Sequence, residues 1–554
     1  MRHKHMKRRS ALLTLAGLPA AGMTLPGRAE SRDAGEDLDD PYAEVDWDRC
    51  AFLHSMSHQH QGQSDRSRDL FREMGYRHFA FSNYYPSAPT PLPEEYAAAH
   101  PGLIGSPNAE HHSFLDSSLH GNALGSLLAT GYGSSAGSDE RKAAPLVHRF
   151  EGLRPFDETR PWLGVYRLDL RLEPVKGGAE DATTAALTVE GATECAFREH
   201  FPDRGLVRER PLAAGNHTIY LRAGSPSIGV RLNYDGAKLS VAQCRLMQGT
   251  NRPWRDVFRA ALDGETADGQ REGGLAFADG GGITLNHPTG SLDQYAEMLD
   301  FDPRVLGIEV WNQLTSGFGA AGGFYAQGPG PNLHFYRLWD DLLRTGRRCW
   351  GFFVKDHNTY GRGRNVLLVP APDGLSVTEQ EAAALRAYRR GAFFGSVAAL
   401  ATNESGEVMP PYDRSDFRFS RLAVRRDAEG RPVAIEAAVA GNDPERPQVQ
   451  IRFVTDEGVA AAVDGPQAEF PLKRDGKGRL APAFVRVEAF AYPRTHRRGE
   501  PLTAETLRSL NVHDISLLHD HMAQRGPNFF GGPQELRAPV PIVDMIFSQP
   551  FRRV

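Results

Sequence analysis

Apolar and polar positions change their rhythm three times along this chain, and the changes mark its organisation. "CAFLHSMSHQH", from Cys50, is a short apolar strand running into a histidine-rich loop. "DRSRDLFREMGYRHFAFSNYYP" follows as an amphipathic helix, a stop at Gly75 and a second strand ending at Asn83-Tyr84. From about Gly131 to Gln248 the pattern becomes short alternating strands, such as "AALTVEG" and "HTIYLRAG", separated by Gly, Pro and Asn turns. That spacing predicts an antiparallel β-sandwich inserted into the first domain. Helix and strand alternate again from "WRDVFRAALDG" through "GGGITLNHPT", "VLGIEVWN" and "RCWGFFVKDHN" to "VTEQEAAALRAYRRGAFFGS". Alternation at this spacing predicts a parallel, barrel-like α/β sheet with polar residues at the carboxyl ends of its strands. Beyond Asp416 the strands "FSRLAVRRD", "VQIRFVTDEG" and "AFVRVEAFAYP" predict a C-terminal immunoglobulin-like sandwich. The expected organisation is a barrel in two parts, 45–130 and 249–400, an inserted sandwich at 131–248 and a C-terminal sandwich at 410–554.

Composition narrows the class. Of 554 residues, 40% are hydrophobic and 24% charged, and the net charge is −5. These values suit a soluble globular protein and give no reason to expect nucleic acid or an anionic membrane as the main partner. Residues 1–30 open with a basic block, and Arg8-Arg9 leads into "SALLTLAG". This is the layout of a twin-arginine-type signal, so the expected destination is periplasmic or extracellular. No later segment approaches the ~20 uninterrupted apolar residues of a membrane span. The four cysteines form no CxxC pair, which argues against a Cys-based zinc site. Cys195–Cys244 with Cys50–Cys349 is one of three possible disulfide pairings, and free thiols are the other reading.

Candidate chemistry concentrates at the predicted strand ends. His58 and His60 follow the first strand; Glu110, His111, His112 and His120 lie near the third; His287 and Asp356-His357 end later ones. Imidazoles and carboxylates converging from several strands form a ligand set for borderline divalent metals such as Zn, Mn or Fe.

With these residues in view, "HQHQGQSD" resembles the HxHxxxSD opening motif of the PHP (polymerase and histidinol phosphatase) superfamily, with His58, His60 and Asp65 in ligand places. "LIGSPNAEHHSF" resembles the segment carrying that family's metal-bridging glutamate, here Glu110, and "LHGNALGS" offers His120. "NHPT" gives His287, and "FFVKDH" gives Asp356 as terminal ligand with His357 beside it. The resemblance implies a distorted (β/α)7 TIM-like barrel with two or three divalent ions. It also implies hydrolysis of a phosphoester by metal-bound hydroxide, His58, His60 and Asp356 being the catalytic positions. Two places depart from the family pattern: Ser82-Asn83-Tyr84 lacks a ligand histidine, and Asp356-His357-Asn358 has its histidine one place early. His54, His111 or His112 are the candidates to compensate. Arg362 and Arg364, in "YGRGRN", are either a clamp for substrate phosphate or carboxylate or two solvated loop arginines.

The expected substrate is a small-molecule or glycan-linked ester. Alternatives are a metal-dependent hydrolase of a glycan or other non-phosphate substrate, and a non-catalytic binding protein on a decayed barrel. "GSSAG" around Ser135 matches a nucleophile elbow but lacks the apolar strand and helix that an elbow needs. "GFGAAG", at 317–322, lacks the helix a dinucleotide loop needs. His513, His519 and His521 read as a solvated helix on the sandwich.

Overall fold

The computed structural model describes residues 37–554 except 61–63, 83–86, 88, 90–91, 113, 115, 131–132, 152, 154–164, 176–183, 196–202, 249–252, 265–272, 313–316, 320–332, 358–360, 401, 403–404, 406–414, 442, 524–525, 528–532 and 535–537. The signal segment, Asn83-Tyr84, Asn358 and most of the Gly/Pro-rich stretch 317–331 lie outside the described residues.

The first part begins with β1 (Ala51–Met56), α1 (Asp65–Glu73) and β2 (His78–Phe79). Ser64 caps α1 by accepting the Ser67 N–H, and Gly75, at φ +90°, lets the chain turn back where a side chain would be strained. The helix buries Phe71 and returns the chain beside β1, so β1 and β2 pair in parallel with Ser55 opposite His78. β3 (Ile104–Gly105) adds a third parallel strand, His78 opposite Ile104. Then β4 (Glu110–His111) and β5 (His120–Leu124) form an antiparallel pair.

After the insert come α2 (Trp254–Asp263), β6 (Gly282–Asn286), α3 (Leu292–Phe301), β7 (Val305–Asn312), α4 (His334–Arg344) and β8 (Trp350–Val354). β9 (Gly363–Val369), α5 (Val377–Arg390) and β10 (Phe393–Val397) complete this part. β6, β7 and β8 are mutually parallel, as crossover helices α3 and α4 require.

The expected (β/α)7 barrel does not form. Strand outweighs helix and is divided among eight sheets of two to eleven strands, with no closed barrel among the described residues. β8, β7, β6, β5 and β4 make one five-stranded sheet, whereas β3, β2, β1, β9 and β10 belong to the eleven-stranded one. The physical reason lies in the connections. The links from β4 to β5 and from β8 to β9 are short and hold no helix among their described residues, and β1–β9, β9–β10 and β5–β6 all pair antiparallel. A barrel of this class needs a parallel crossover at each step. The two sheets meet at one isolated parallel bridge, Gln59 to Asp356, where β1 and β8 run out.

The eleven-stranded sheet continues past 400. β10 pairs with β12 (Asp544–Ser548), which pairs in turn with β11 (Phe484–Tyr492). A three-stranded antiparallel sheet from 418 to 471 covers one face, with Phe419, Leu422 and Ile435 packing on Phe394, Phe453 and Ile546. The insert has its own core, around Leu168, Leu187, Leu221 and Leu246, between antiparallel sheets of four and six strands. All four cysteines are free thiols, and two strands lie between those carrying Cys195 and Cys244.

Candidate metal centre

Each candidate ligand stands where a strand ends or begins. His58 and His60 follow β1, and their backbone is tied to the end of β8: Asp356 N–H donates to His58 O (3.1 Å) and His60 N–H to Asp356 O (3.3 Å). Glu110 on β4 faces Asn122, two residues beyond His120 on β5. His287 and Asp356 directly follow or closely trail β6 and β8, and both have positive φ, 26° and 53°. Left-handed backbone is costly for non-glycine residues and persists where surrounding structure enforces it, often at functional sites.

The side chains form two groups around one carboxylate. His58, His60 and Asp356 bring one ligand atom each within 4.8 Å of one another, and so do Glu110, His120 and His287. Glu110 Oε2 lies 2.9 Å from His60 Nε2 and 3.4 Å from His58 Nε2. Its Oε1 lies 3.1 Å from His120 Nδ1 and 3.3 Å from His287 Nε2. The Nε2 atoms of His58 and His60 face each other at 3.0 Å, and Asp356 Oδ1 is 3.4 and 3.5 Å from them. Asp356 Oδ1 is buried and accepts no hydrogen bond from the described residues. Buried polar atoms are nearly always satisfied, so this oxygen, beside two converging imidazole nitrogens, fits a divalent cation.

A further layer of hydrogen bonds orients these groups. Glu309, buried in the middle of β7, accepts from His58 Nδ1 through Oε1 (2.6 Å) and from His287 N–H through Oε2 (2.6 Å). Asn312 Nδ2 donates to the same Oε2 (2.8 Å) and to Asp356 Oδ2 (3.2 Å). His60 Nδ1 donates to the Ser82 carbonyl (2.7 Å), and Asn286 Nδ2 to Glu110 Oε1 (2.9 Å). A carboxylate or carbonyl partner at Nδ1 keeps the proton there and turns Nε2 toward a metal.

Charge points the same way. Burial opposes ionisation of Glu110, but His58 and His120 outweigh it and hold the carboxyl well below its ordinary range. Burial likewise opposes, and His58, His357 and His60 overcome, so that Asp356 is also held down. Burial disfavours the His58 cation, yet Asp356, Glu110 and Glu309 together raise its pKa well above 6.5. His60, with burial dominant, is lowered. A cluster of buried carboxylates demands positive charge. A proton on His58 supplies some, and a divalent ion competes for the same nitrogen, which makes metal binding tighter as pH rises.

The structure thus brings together His58, His60, Glu110, His120, His287 and Asp356. His357 lies alongside, stacked on His60 at 4.2 Å, its Nε2 3.5 Å from Asp356 Oδ1. Asp65 is not brought in. It sits in the first turn of α1 with its side chain 75% exposed and pairs with Arg68 (2.5 Å). The arginine clamp is also corrected: Arg362 and Arg364 are buried. Arg362 donates to the carbonyls of Ala398 (2.5 Å), Ser516 (2.9 Å) and Val543 (3.2 Å), and Arg364 to that of Ser415 (2.7 Å). They brace β9 against C-terminal segments. His111 bonds Thr130 Oγ1 (2.7 Å), His112 packs behind His120, and His54 packs on Tyr76. Ser135 ends an edge strand of the insert. His513, His519 and His521 join no metal-binding group among the described residues.

Glu309 is the residue that sequence reasoning missed. Its signal was a lone carboxylate inside the otherwise apolar "VLGIEVWN". No family model matches this sequence, and no curated protein matches it.

Proposed function

We propose that the chain is a metal-dependent hydrolase acting on a phosphoester, with Glu110 shared between two divalent ions. The observation that carries this reading is the division of the Glu110 carboxylate, Oε2 toward His58 and His60 and Oε1 toward His120 and His287. His58, His60 and Asp356 would hold one ion, His120 and His287 the other; imidazole and carboxylate donors suit Zn, Mn or Fe. Such ions, when bound, lower the pKa of a water to roughly 7 and neutralise charge on substrate oxygens. The chain's own part is orientation and exclusion of solvent. Glu309 and Ser82 hold the imidazoles, and burial of Glu110 and Asp356 strengthens every electrostatic contact they make. The resemblance of the motifs to the PHP superfamily supports the phosphoester class, and the Arg8-Arg9 segment supports export.

A second reading keeps the metals and changes the bond to a glycosidic or other non-phosphate one. It is favoured by the burial of Arg362 and Arg364, which takes the expected phosphate clamp away from the site. Aryl phosphomonoesters, phosphodiesters and glycosides assayed with added Mn or Zn separate the two. Turnover of a phosphoester that stops on chelation and in Glu110→Gln supports the first. Turnover of glycosides alone supports the second, and turnover that survives chelation contradicts both.

A further inference from the structure

At the amino ends of β1 and β8, opposite the metal centre, lies a cavity of about 740 Å³. Its size is that of an ordinary small-molecule pocket. β1 separates it from His58 by six residues of strand, about 20 Å at the usual rise. One wall is apolar, formed by Ala383 and Ala387 of α5 with Leu368 of β9. Another is built from Arg348, Trp350 and Arg389.

These two arginines are held in place by neutral groups only. Arg389 donates through Nε to Gly281 O (2.6 Å) and through Nη2 to Gly280 O (3.0 Å). Arg348 donates to Pro303 O, and its guanidinium sits 5.6 Å from the Trp350 ring. Trp350 Nε1 in turn donates to the backbone carbonyl of Arg389 (3.3 Å), which ties the indole to the end of α5. Neither guanidinium has a carboxylate at ion-pair distance among the described residues. The acids that line the cavity are engaged elsewhere: Asp39 with Arg552 (3.1 Å), Glu44 with Arg390, and Asp40 and Asp46 with the backbone N–H groups of Tyr42 (2.8 Å) and Asp48 (3.2 Å). Burial, then the charges of Arg304 and Arg348, push Arg389 down to about 10. Asp39 and Asp302 offset part of the Arg348 charge, and Asp302 and Asp279 part of that on Arg389, yet none pairs with either guanidinium, so this half-buried positive charge still favours an anion. Each guanidinium also has N–H donors beyond those used on carbonyls, in the planar array that grips oxyanions.

We infer that this cavity binds a small oxyanion carried on an apolar body, a carboxylate, sulfonate or phosphate ester, with Arg348 and Arg389 gripping the anion and the α5 wall taking the apolar part. The test is isothermal titration of the full-length, metal-loaded protein with benzenesulfonate, whose weakly basic oxyanion is a poor metal ligand. One site per chain is expected. Its Kd rises about tenfold or more in Arg348→Gln and in Arg389→Gln, as loss of a charge-assisted contact requires. It is unchanged in His58→Ala/His60→Ala. Arg348→Gln carries the test if Arg389→Gln fails to fold, because Arg348 makes a single backbone hydrogen bond. No binding by the wild type at millimolar probe, an unchanged Kd in Arg348→Gln, or loss of binding in the histidine variant would overturn the inference.

Discussion

Replacing Glu309 with glutamine changes one atom and removes one charge, at a residue that touches no proposed ion. Its two oxygens receive the His58 Nδ1 proton and the His287 N–H, both at 2.6 Å. A glutamine amide has one accepting oxygen, so it satisfies one donor and turns an NH2 group against the other. The loss is at least one charge-assisted hydrogen bond, about 1.5–3 kcal/mol. Either outcome damages the metal ligands: His58 loses the partner that keeps its Nδ1 protonated, or His287 loses the anchor of its strained backbone. Substitution of such an orienting group costs about 10–100-fold in metal affinity, or roughly 1.4–2.8 kcal/mol, which agrees with the hydrogen-bond figure. Competition against a chelator, with near-UV circular dichroism as a check on folding, measures this directly. A folded Glu309→Gln protein whose metal affinity stays within twofold of wild type would refute the assignment.

Three other expectations are separable from this one. Asp65→Asn should leave metal stoichiometry and affinity unchanged in the same competition assay, because the side chain is exposed and paired with Arg68; loss of an ion would restore Asp65 as a ligand. Arg362→Ala removes a buried guanidinium from three carbonyls and should cost about 3 kcal/mol or more, seen as a lower Tm with KM little changed. His78, pushed down to about 3 by burial from 6.5, stays neutral in the fold while the unfolded chain takes a proton. Its contribution to stability is therefore complete above pH 6.5 and falls as pH drops toward 3, by about 1.4 kcal/mol per unit. Urea unfolding of wild type and His78→Gln at pH 6 and 4 should show a shallower slope for the variant by that amount.

Much of the candidate site was readable in the sequence because its ligands flank short strands. His58 and His60 stand two apart just beyond the end of β1, and His287 and Asp356 stand just beyond apolar runs whose lengths are those of strands. Asp65 was misplaced because it is the first residue of α1, and motif spacing alone does not say where a helix starts. Arg362 and Arg364 looked like loop residues among glycines. They are in or beside β9, and the carbonyls that hold Arg362 come from 36, 154 and 181 residues further along. Such pairings are set by tertiary structure. The barrel expectation failed for a related reason: hydrophobic periodicity locates strands, while connection length and crossover helices decide whether neighbours run parallel. Glu309 was concealed by its apolar neighbours, and only the fold showed its two oxygens reaching two different ligands.

The central claim is that one buried carboxylate serves two metal ions. Anomalous diffraction at the absorption edge of the bound metal, on crystals of the metal-loaded protein, tests it most directly. Two peaks per chain are expected, one on the His58, His60 and Asp356 side of Glu110 and one on the His120 and His287 side. A fully loaded protein with no peak within bonding distance of Glu110, or with a single peak that leaves either histidine group unligated, would contradict it.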